Sequence, residues 1–238
     1  KVFSKIEDYE LVMVDDGSLD KSWEEMTKIA NQDNRVRIIK LSRNFGSHAA
    51  ILAGINECTG DCAMIKAADL QEPSEIIIDM FKSWENGNKV VLAVREDRKE
   101  KKKKKMFANM YYWLVRKFAI PNMPKSGFDC YLIDRKVMEV LRNLDEQNSA
   151  LTLQILWSGF KTDMIYYVRQ KRELGKSRWT LAKKVKLVMD SMLSFSYVPV
   201  RFVTGVGVSF SFVAFIWCIV VIIEKLIGAS QAGVKIDL

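Results

Sequence analysis

YELVMVDDGS, residues 9–18, and DCAMIKAADLQEP, residues 61–73, share one plan: an apolar run that ends in acids. In the first, Leu11, Val12, Met13 and Val14 lead into Asp15, Asp16 and a Gly-Ser turn. In the other, an apolar run leads to Asp69 and, two residues on, to Gln71. Short apolar runs bounded by turn residues read as buried strands. Carboxylates at the C-terminal ends of neighbouring parallel strands face the crevice in which open α/β sheets bind ligands. Hard oxygen donors placed there suit Mg²⁺ or Mn²⁺ with a diphosphate, which points to a nucleotide site. Each stretch also has a plainer reading. Asp-Asp-Gly-Ser serves as a turn and helix N-cap, and Asp-Leu-Gln-Glu-Pro as a helix entry with Pro73 in its first turn. The order and spacing of the two together favour the site.

Outward from these stretches, apolar strands fit 9–14, 36–41, 61–66 and 89–94, with helical periodicity between them over 19–31, 46–57 and 74–86. This alternation predicts an α/β fold: a Rossmann-like, mostly parallel sheet with helices on both faces. Residues 104–119 form an aromatic and basic helix, suited either to a membrane surface or acceptor channel or to a core with a charged rim. Two short helices fit 134–158, and a strand fits near 163–168. Over 178–197, Trp179, Ala182, Val185, Met189, Met192 and Phe195 recur at helical steps opposite Lys183, Lys184, Lys186 and Asp190. Such a basic amphipathic helix is expected to lie on a membrane.

The 238 residues have room for one sizeable α/β domain and an appendage. The net charge of +8 is unevenly placed: Arg95 to Lys105 hold eight cations against three acids, and Lys171 to Lys186 form a second basic stretch. No nucleic-acid-binding motif accompanies these runs, which argues against DNA or RNA. Basic segments beside an apolar span meet anionic lipid headgroups instead. That span is Phe202 to Ile223, 22 residues without a charge, long enough to cross a bilayer as a helix. Cations crowd its N-terminal side, so residues 1–200 are expected in the cytoplasm. Cys58, Cys62, Cys130 and Cys218 show no metal-binding spacing and fit a reducing compartment.

VDDGSLD, then LSRNFGSHAA at 41–50, AADLQEP, SGFDCYLIDRKV at 126–137 and SFSYVPVR at 194–201 together resemble the inverting family 2 glycosyltransferases. The likeness is to the polyprenyl-phosphate hexosyltransferase branch, with its dolichyl-phosphate mannose synthases and bactoprenyl-phosphate glucosyltransferases. It implies a GT-A fold with interfacial helices and a C-terminal transmembrane helix. It further implies transfer of a hexose, glucose favoured, from a nucleotide sugar, UDP favoured, to polyprenyl phosphate at the cytoplasmic face of the cell membrane. GDP-mannose is the alternative donor. A processive polysaccharide synthase fits less well, since only Ser-Arg-Trp stands at 177–179.

The resemblance also assigns residues. Asp69 would hold Mg²⁺ or Mn²⁺ with help from Gln71, while Asp15, Asp16 and Arg43 would contact the nucleotide. Arg43 alternatively makes a surface salt bridge. Apart from the resemblance, Arg95 at the end of the fourth apolar strand is the best-placed cation to hold the acceptor phosphate, since arginine offers bidentate geometry, with Arg98 guiding the headgroup. Asp129 marks the acceptor region, and Ser177 and Arg178, in GKSRW, touch diphosphate or acceptor or simply cap a helix. His48 is read as structural. Relatives carry Asp-x-Asp where Ala67 and Asp69 stand, so a weakly active sugar-nucleotide-binding scaffold is the competing function.

The expected layout is a cytoplasmic GT-A domain over 1–170, an amphipathic membrane-interface segment over 171–200, a transmembrane helix over 201–225 and a loop or tail over 226–238. Family members open with a further strand and a Pro-x-Tyr-Asn-Glu-like loop that nothing before Tyr9 matches, and many carry a second span. A fragment of a longer chain is therefore expected; oligomeric state is left open, although membrane helices side by side could pair as a homo-oligomer.

Overall fold

The computed structural model describes residues 8–69, 71–96, 102–144, 150–169 and 181–233, with backbone alone at 102–107, 181–184 and 229–233. It falls into two units, one ending at Phe195 and one beginning at Ser196. Arg98, Ser177 and Arg178 lie outside the described residues.

Strand β1 (Leu11–Asp15) leads through helix α1 (Ser22–Ala30) to β2 (Val36–Lys40), which pairs with it in parallel. Helix α2 (Ser47–Glu57) then leads to β3 (Cys62–Ile65), α3 (Ile76–Glu85), β4 (Val90–Arg95) and α4 (Lys102–Phe118). β5 (Phe128–Asp134), α5 (Arg135–Arg142), α6 (Leu151–Trp157), β6 (Thr162–Tyr167) and α7 (Leu181–Phe195) complete the unit. The second sheet has the order β3-β5-β4-β6. Three of its strands point one way, and β5 runs against β3 and β4.

β4 reads VVLAV and is buried on both sides, as a central strand covered by helices must be. Its side chains alternate with the two-residue strand period. Val90, Leu92 and Val94 join a core with α4, α5 and α6, while Val91 and Ala93 pack with Ile76 and Met80 of α3.

The sequence gives no hint that β5 is inserted between β3 and β4. The expectation that the acids of 9–18 and 61–73 end neighbouring strands is corrected accordingly: β1 pairs only with β2 and β3 only with β5 among the described residues. Pairing order is a tertiary choice that apolar runs do not encode. The two sheets are joined through the link from α2 to β3. Glu10 accepts from the Thr59 and Gly60 amides at 2.5 and 3.0 Å and pairs with Arg37 at 2.5 Å. Arg142 donates to the Ile55 and Cys58 carbonyls at the end of α2, at 2.6 and 2.8 Å, where a cation also complements the helix dipole.

Asp134 caps α5 by accepting from the Lys136 amide, and it takes further bonds from Trp84 Nε1 and Lys89 Nζ, each at 2.8 Å. Burial opposes its ionised form, but these donors outweigh that and hold the carboxyl below its usual value. The stability it contributes is therefore complete above about pH 4, the unfolded value, and drains as pH falls through the lower folded value. Asp134→Asn is expected to cost about 1–3 kcal/mol at neutral pH and to flatten the acid limb of the stability curve. Denaturant melts of both proteins between pH 3 and 7 check this.

α7 packs against α4, and Tyr111 and Ser191 share a hydrogen bond of 3.1 Å. The stripe expected on α7 divides. Met192 and Phe195 pack on the core, whereas Val185 and Met189 are more than half exposed, as are Leu193 outside the stripe and Met110 on α4; Trp179 lies outside the described residues. In the second unit, α8 (Val198–Gly233) contains the charge-free span, and residues 226–233, expected as loop or tail, continue the helix. Val198–Gly228 is long and apolar enough to cross a membrane, and its most apolar stretch is exposed.

Candidate active site at the C-terminal sheet edge

Two groups of predicted residues form at the strand ends. The first surrounds the end of β1. Asp15, 3% exposed, accepts from the Ser18 amide at 3.0 Å through Oδ1, and its Oδ2 is buried without a hydrogen-bond partner. Asp16 braces the neighbouring loop: its two carboxylate oxygens accept from the Phe45 and Gly46 amides at 2.7 and 2.9 Å, and its carbonyl from Asn44. Arg43 lies over the Phe45 ring, 4.3 Å from its centroid. Gly17 lets these loops meet. Its φ is +66°, and a Cβ there would come within 2.6 Å of the Arg43 backbone. Gly17→Ala is expected to destabilise by about 2–4 kcal/mol, left-handed strain adding to a backbone clash. A lowered melting temperature with weakened nucleotide binding checks it.

The second group spans the other sheet. Asp69 and Gln71 follow β3, Asp129 opens β5, and Arg95 ends β4. Since β5 is antiparallel, its beginning lies at the same edge as the ends of β3 and β4. Arg95 is 7% exposed and its Nη2 forms an ion pair with Asp129 Oδ2. Asp69 Oδ1 accepts weakly from the Gln71 amide at 3.3 Å. The turn before Asp129 requires Gly127, at φ +67°, because a Cβ would enter the Tyr112 ring.

Two residues were missed by the sequence reading. Arg169, just beyond β6, donates from Nη2 to Gln71 Oε1 at 2.5 Å, and its Nη1 lies 3.7 Å from Asp129 Oδ2. A basic residue directly after a strand was the signal that marked Arg95, and it was available here too. Glu72 is 3% exposed with both carboxylate oxygens buried and unpartnered. Burial, then the Asp69 charge, push its carboxyl above the usual range against the pull of Arg169 and Lys66. His48 is also half-buried; burial lowers its pKa and its Nδ1 has no partner.

Asp69, Gln71, Glu72, Arg95, Asp129 and Arg169 all line one cleft of about 2620 Å³, which also runs along β1 and β3. Val14, Ser47 and His48 in its wall adjoin the Asp15–Asp16 loop pair. Among the described residues no three His, Cys, Asp or Glu side chains gather as a metal cage. Asp69 is half-exposed and the Gln71 oxygen is engaged by Arg169. This donor set fits a Mg²⁺ or Mn²⁺ ion that draws one protein carboxylate and takes its other ligands from a diphosphate and water.

The model of the family described as Glycosyl transferase family 2 matches residues 2–142. The chain belongs to that family. Over 225 residues it is 38% identical to an uncharacterised glycosyltransferase of Bacillus subtilis (strain 168), spanning 94% of this chain and 70% of that protein. It is 32% identical over 228 residues to a prophage bactoprenol glucosyl transferase homolog of Escherichia coli (strain K12), spanning 94% and 74%. Among solved structures it resembles a mannosyltransferase from Pyrobaculum calidifontis in complex with GDP-Man and Mn²⁺, at a TM-score of 0.50 and 16% identity. That match covers 74% of this chain and 51% of the solved one, and it shows a common GT-A fold. This family 2 protein is thus a glycosyltransferase, with an α/β fold and, among the described residues, one long apolar helix toward its C-terminal end.

Proposed function

We propose that this glycosyltransferase moves a hexose, glucose favoured, from a UDP-sugar to polyprenyl phosphate at the cytoplasmic face of a membrane, inverting the anomeric centre. One observation carries the reading: an acid–amide pair, Asp69 and Gln71, shares one sheet edge with the buried Arg95 and its ion-pair partner Asp129. A donor diphosphate needs the former and an anionic acceptor the latter. The bactoprenol named for the Escherichia coli relative supports a polyprenyl acceptor. The apolar length of α8 and the exposed Val185, Met189 and Leu193 of α7 support a membrane setting for it.

The acceptor phosphate is already a charged nucleophile at neutral pH, so the protein's task is to place it rather than to deprotonate it. Arg95, at a fixed strand end, offers a planar fork that grips phosphate oxygens. Asp69 and Gln71 would hold the cation and diphosphate on the opposite side of the sugar. A divalent cation bound there supplies Lewis-acid stabilisation of the departing diphosphate. Asp15, whose Oδ2 is buried and unpartnered, and Asp16 would take nucleotide hydrogen bonds, with Arg43 on the loop that Asp16 braces. Arg98 would guide the lipid headgroup by its charge, and Ser177 and Arg178 keep the diphosphate or acceptor role that the family resemblance implies.

A second reading, a sugar-nucleotide-binding scaffold with little turnover, is favoured by Ala67, which leaves Asp69 without the first acid of the pair. Donor choice is tested by equilibrium competition of UDP-glucose and GDP-mannose, with Mg²⁺ and with chelator. UDP-glucose is expected to bind at least about tenfold more tightly, in a cation-dependent way. Tighter GDP-mannose binding would replace the donor.

A further inference from the structure

Arg169 connects the two halves of the cleft. It lies two residues beyond Tyr167, the register partner of Arg95, so both guanidinium groups stand at one sheet edge. From the strand at the end of the order β3-β5-β4-β6 it reaches back across the row. Nη2 donates to Gln71 Oε1 beyond β3 at 2.5 Å, and Nη1 stands 3.7 Å from Asp129 Oδ2 in β5. Arg95 pairs with the same Asp129 oxygen. The Arg169 side chain is 26% exposed, and its Nε is buried without a hydrogen-bond partner. Glu72, among whose nearby charges are Arg169 and Lys66, adds a buried carboxyl with no hydrogen-bond partner of its own. A guanidinium held in this way is fixed by its fork geometry, unlike a mobile surface cation.

On the functional reading above, we propose that Arg169 is a positioning residue that couples nucleotide binding to acceptor-phosphate binding. A phosphate drawn to Arg95 competes with Asp129 for that guanidinium. Asp129, released in part, turns to the second guanidinium already near it. Arg169 is then held more firmly, and with it the Gln71 side chain, whose oxygen it binds, on the donor side of the cleft. Occupation of the acceptor side strengthens the donor side, and linkage requires the converse by the same factor.

The test is calorimetric binding to the full chain in detergent with Mg²⁺, using UDP or GDP as the nucleotide probe and farnesyl phosphate as the acceptor probe. Neither pair reacts, so equilibrium affinities are read directly. In the parent protein each probe is expected to tighten the other about tenfold. In Arg169→Met both still bind, and the factor falls to about 1–2. Arg169→Lys is not expected to restore it, because one ammonium does not span two acceptors. Gln71→Ala removes the other end of the contact and should lose the same coupling, with no further loss in the double variant. Gln71→Ala also carries the test if Arg169→Met melts early. Undiminished coupling in these variants would overturn the strap and leave the proposed reaction standing. Failure of the folded parent protein to bind either probe would overturn the reaction and the strap together.

Discussion

Asp69→Asn is expected to reduce sugar transfer at least about 100-fold, with the melting temperature almost unchanged. The residue lies at the open edge beyond β3, half-exposed, and its backbone contact is a weak 3.3 Å bond that an asparagine oxygen also accepts. Little folding energy is therefore at stake, within about 0.5 kcal/mol. The charge is another matter. With Ala67 in place of a first acid, Asp69 is the carboxylate left at this motif position to hold a cation against the leaving diphosphate. Asparagine keeps the shape and removes that charge. Initial rates with and without added Mn²⁺, beside thermal melts, check the result. Full turnover in a well-folded variant would remove Asp69 from the cation site.

Arg95→Met should act on the acceptor instead. The Michaelis constant for lipid phosphate is expected to rise about 10–100-fold, equivalent to about 1.4–2.8 kcal/mol, with a smaller change in kcat and little change in nucleotide affinity. Arg95 is buried, so the variant also loses stability, by about 1–3 kcal/mol. That loss is limited because Asp129 is 38% exposed and keeps Arg169 nearby at 3.7 Å. Arg95→Lys is not expected to restore the constant, since a point charge does not reproduce the fork. Rates at saturating donor and varied undecaprenyl phosphate separate this variant from Asp69→Asn. An unchanged constant would place the acceptor phosphate elsewhere.

What the sequence revealed follows from which physical signals are local. Apolar runs ending in Asp15 and Asp69 marked β1 and β3, and the run VVLAV marked β4, because burial on both faces leaves a continuous apolar stretch. β5 was hidden. FDCYLID was legible only as part of a family motif, and its place between β3 and β4 depends on pairing partners far away in the chain. The same limit obscured the site. Asp129 and Arg95 were each singled out, but only the antiparallel course of β5 puts them in contact. Asp16 was read toward the nucleotide, and the structure adds that its carboxylate braces the Phe45 and Gly46 amides, a role set by the meeting of two loops at Gly17. Arg169 carried the same local signal as Arg95, but what it joins, Gln71 and Asp129, lies 98 and 40 residues away in the chain.

The most direct measurement is transfer of labelled glucose from UDP-glucose to undecaprenyl phosphate by the purified full chain in detergent with Mg²⁺, read as label in extracted lipid. The expected result is a glucosyl-phosphate lipid of inverted anomeric configuration, formed with UDP-glucose and lost in Asp69→Asn. Nucleotide-sugar binding without any labelled lipid, from UDP-glucose or GDP-mannose, would contradict transfer and leave the chain as a binding scaffold.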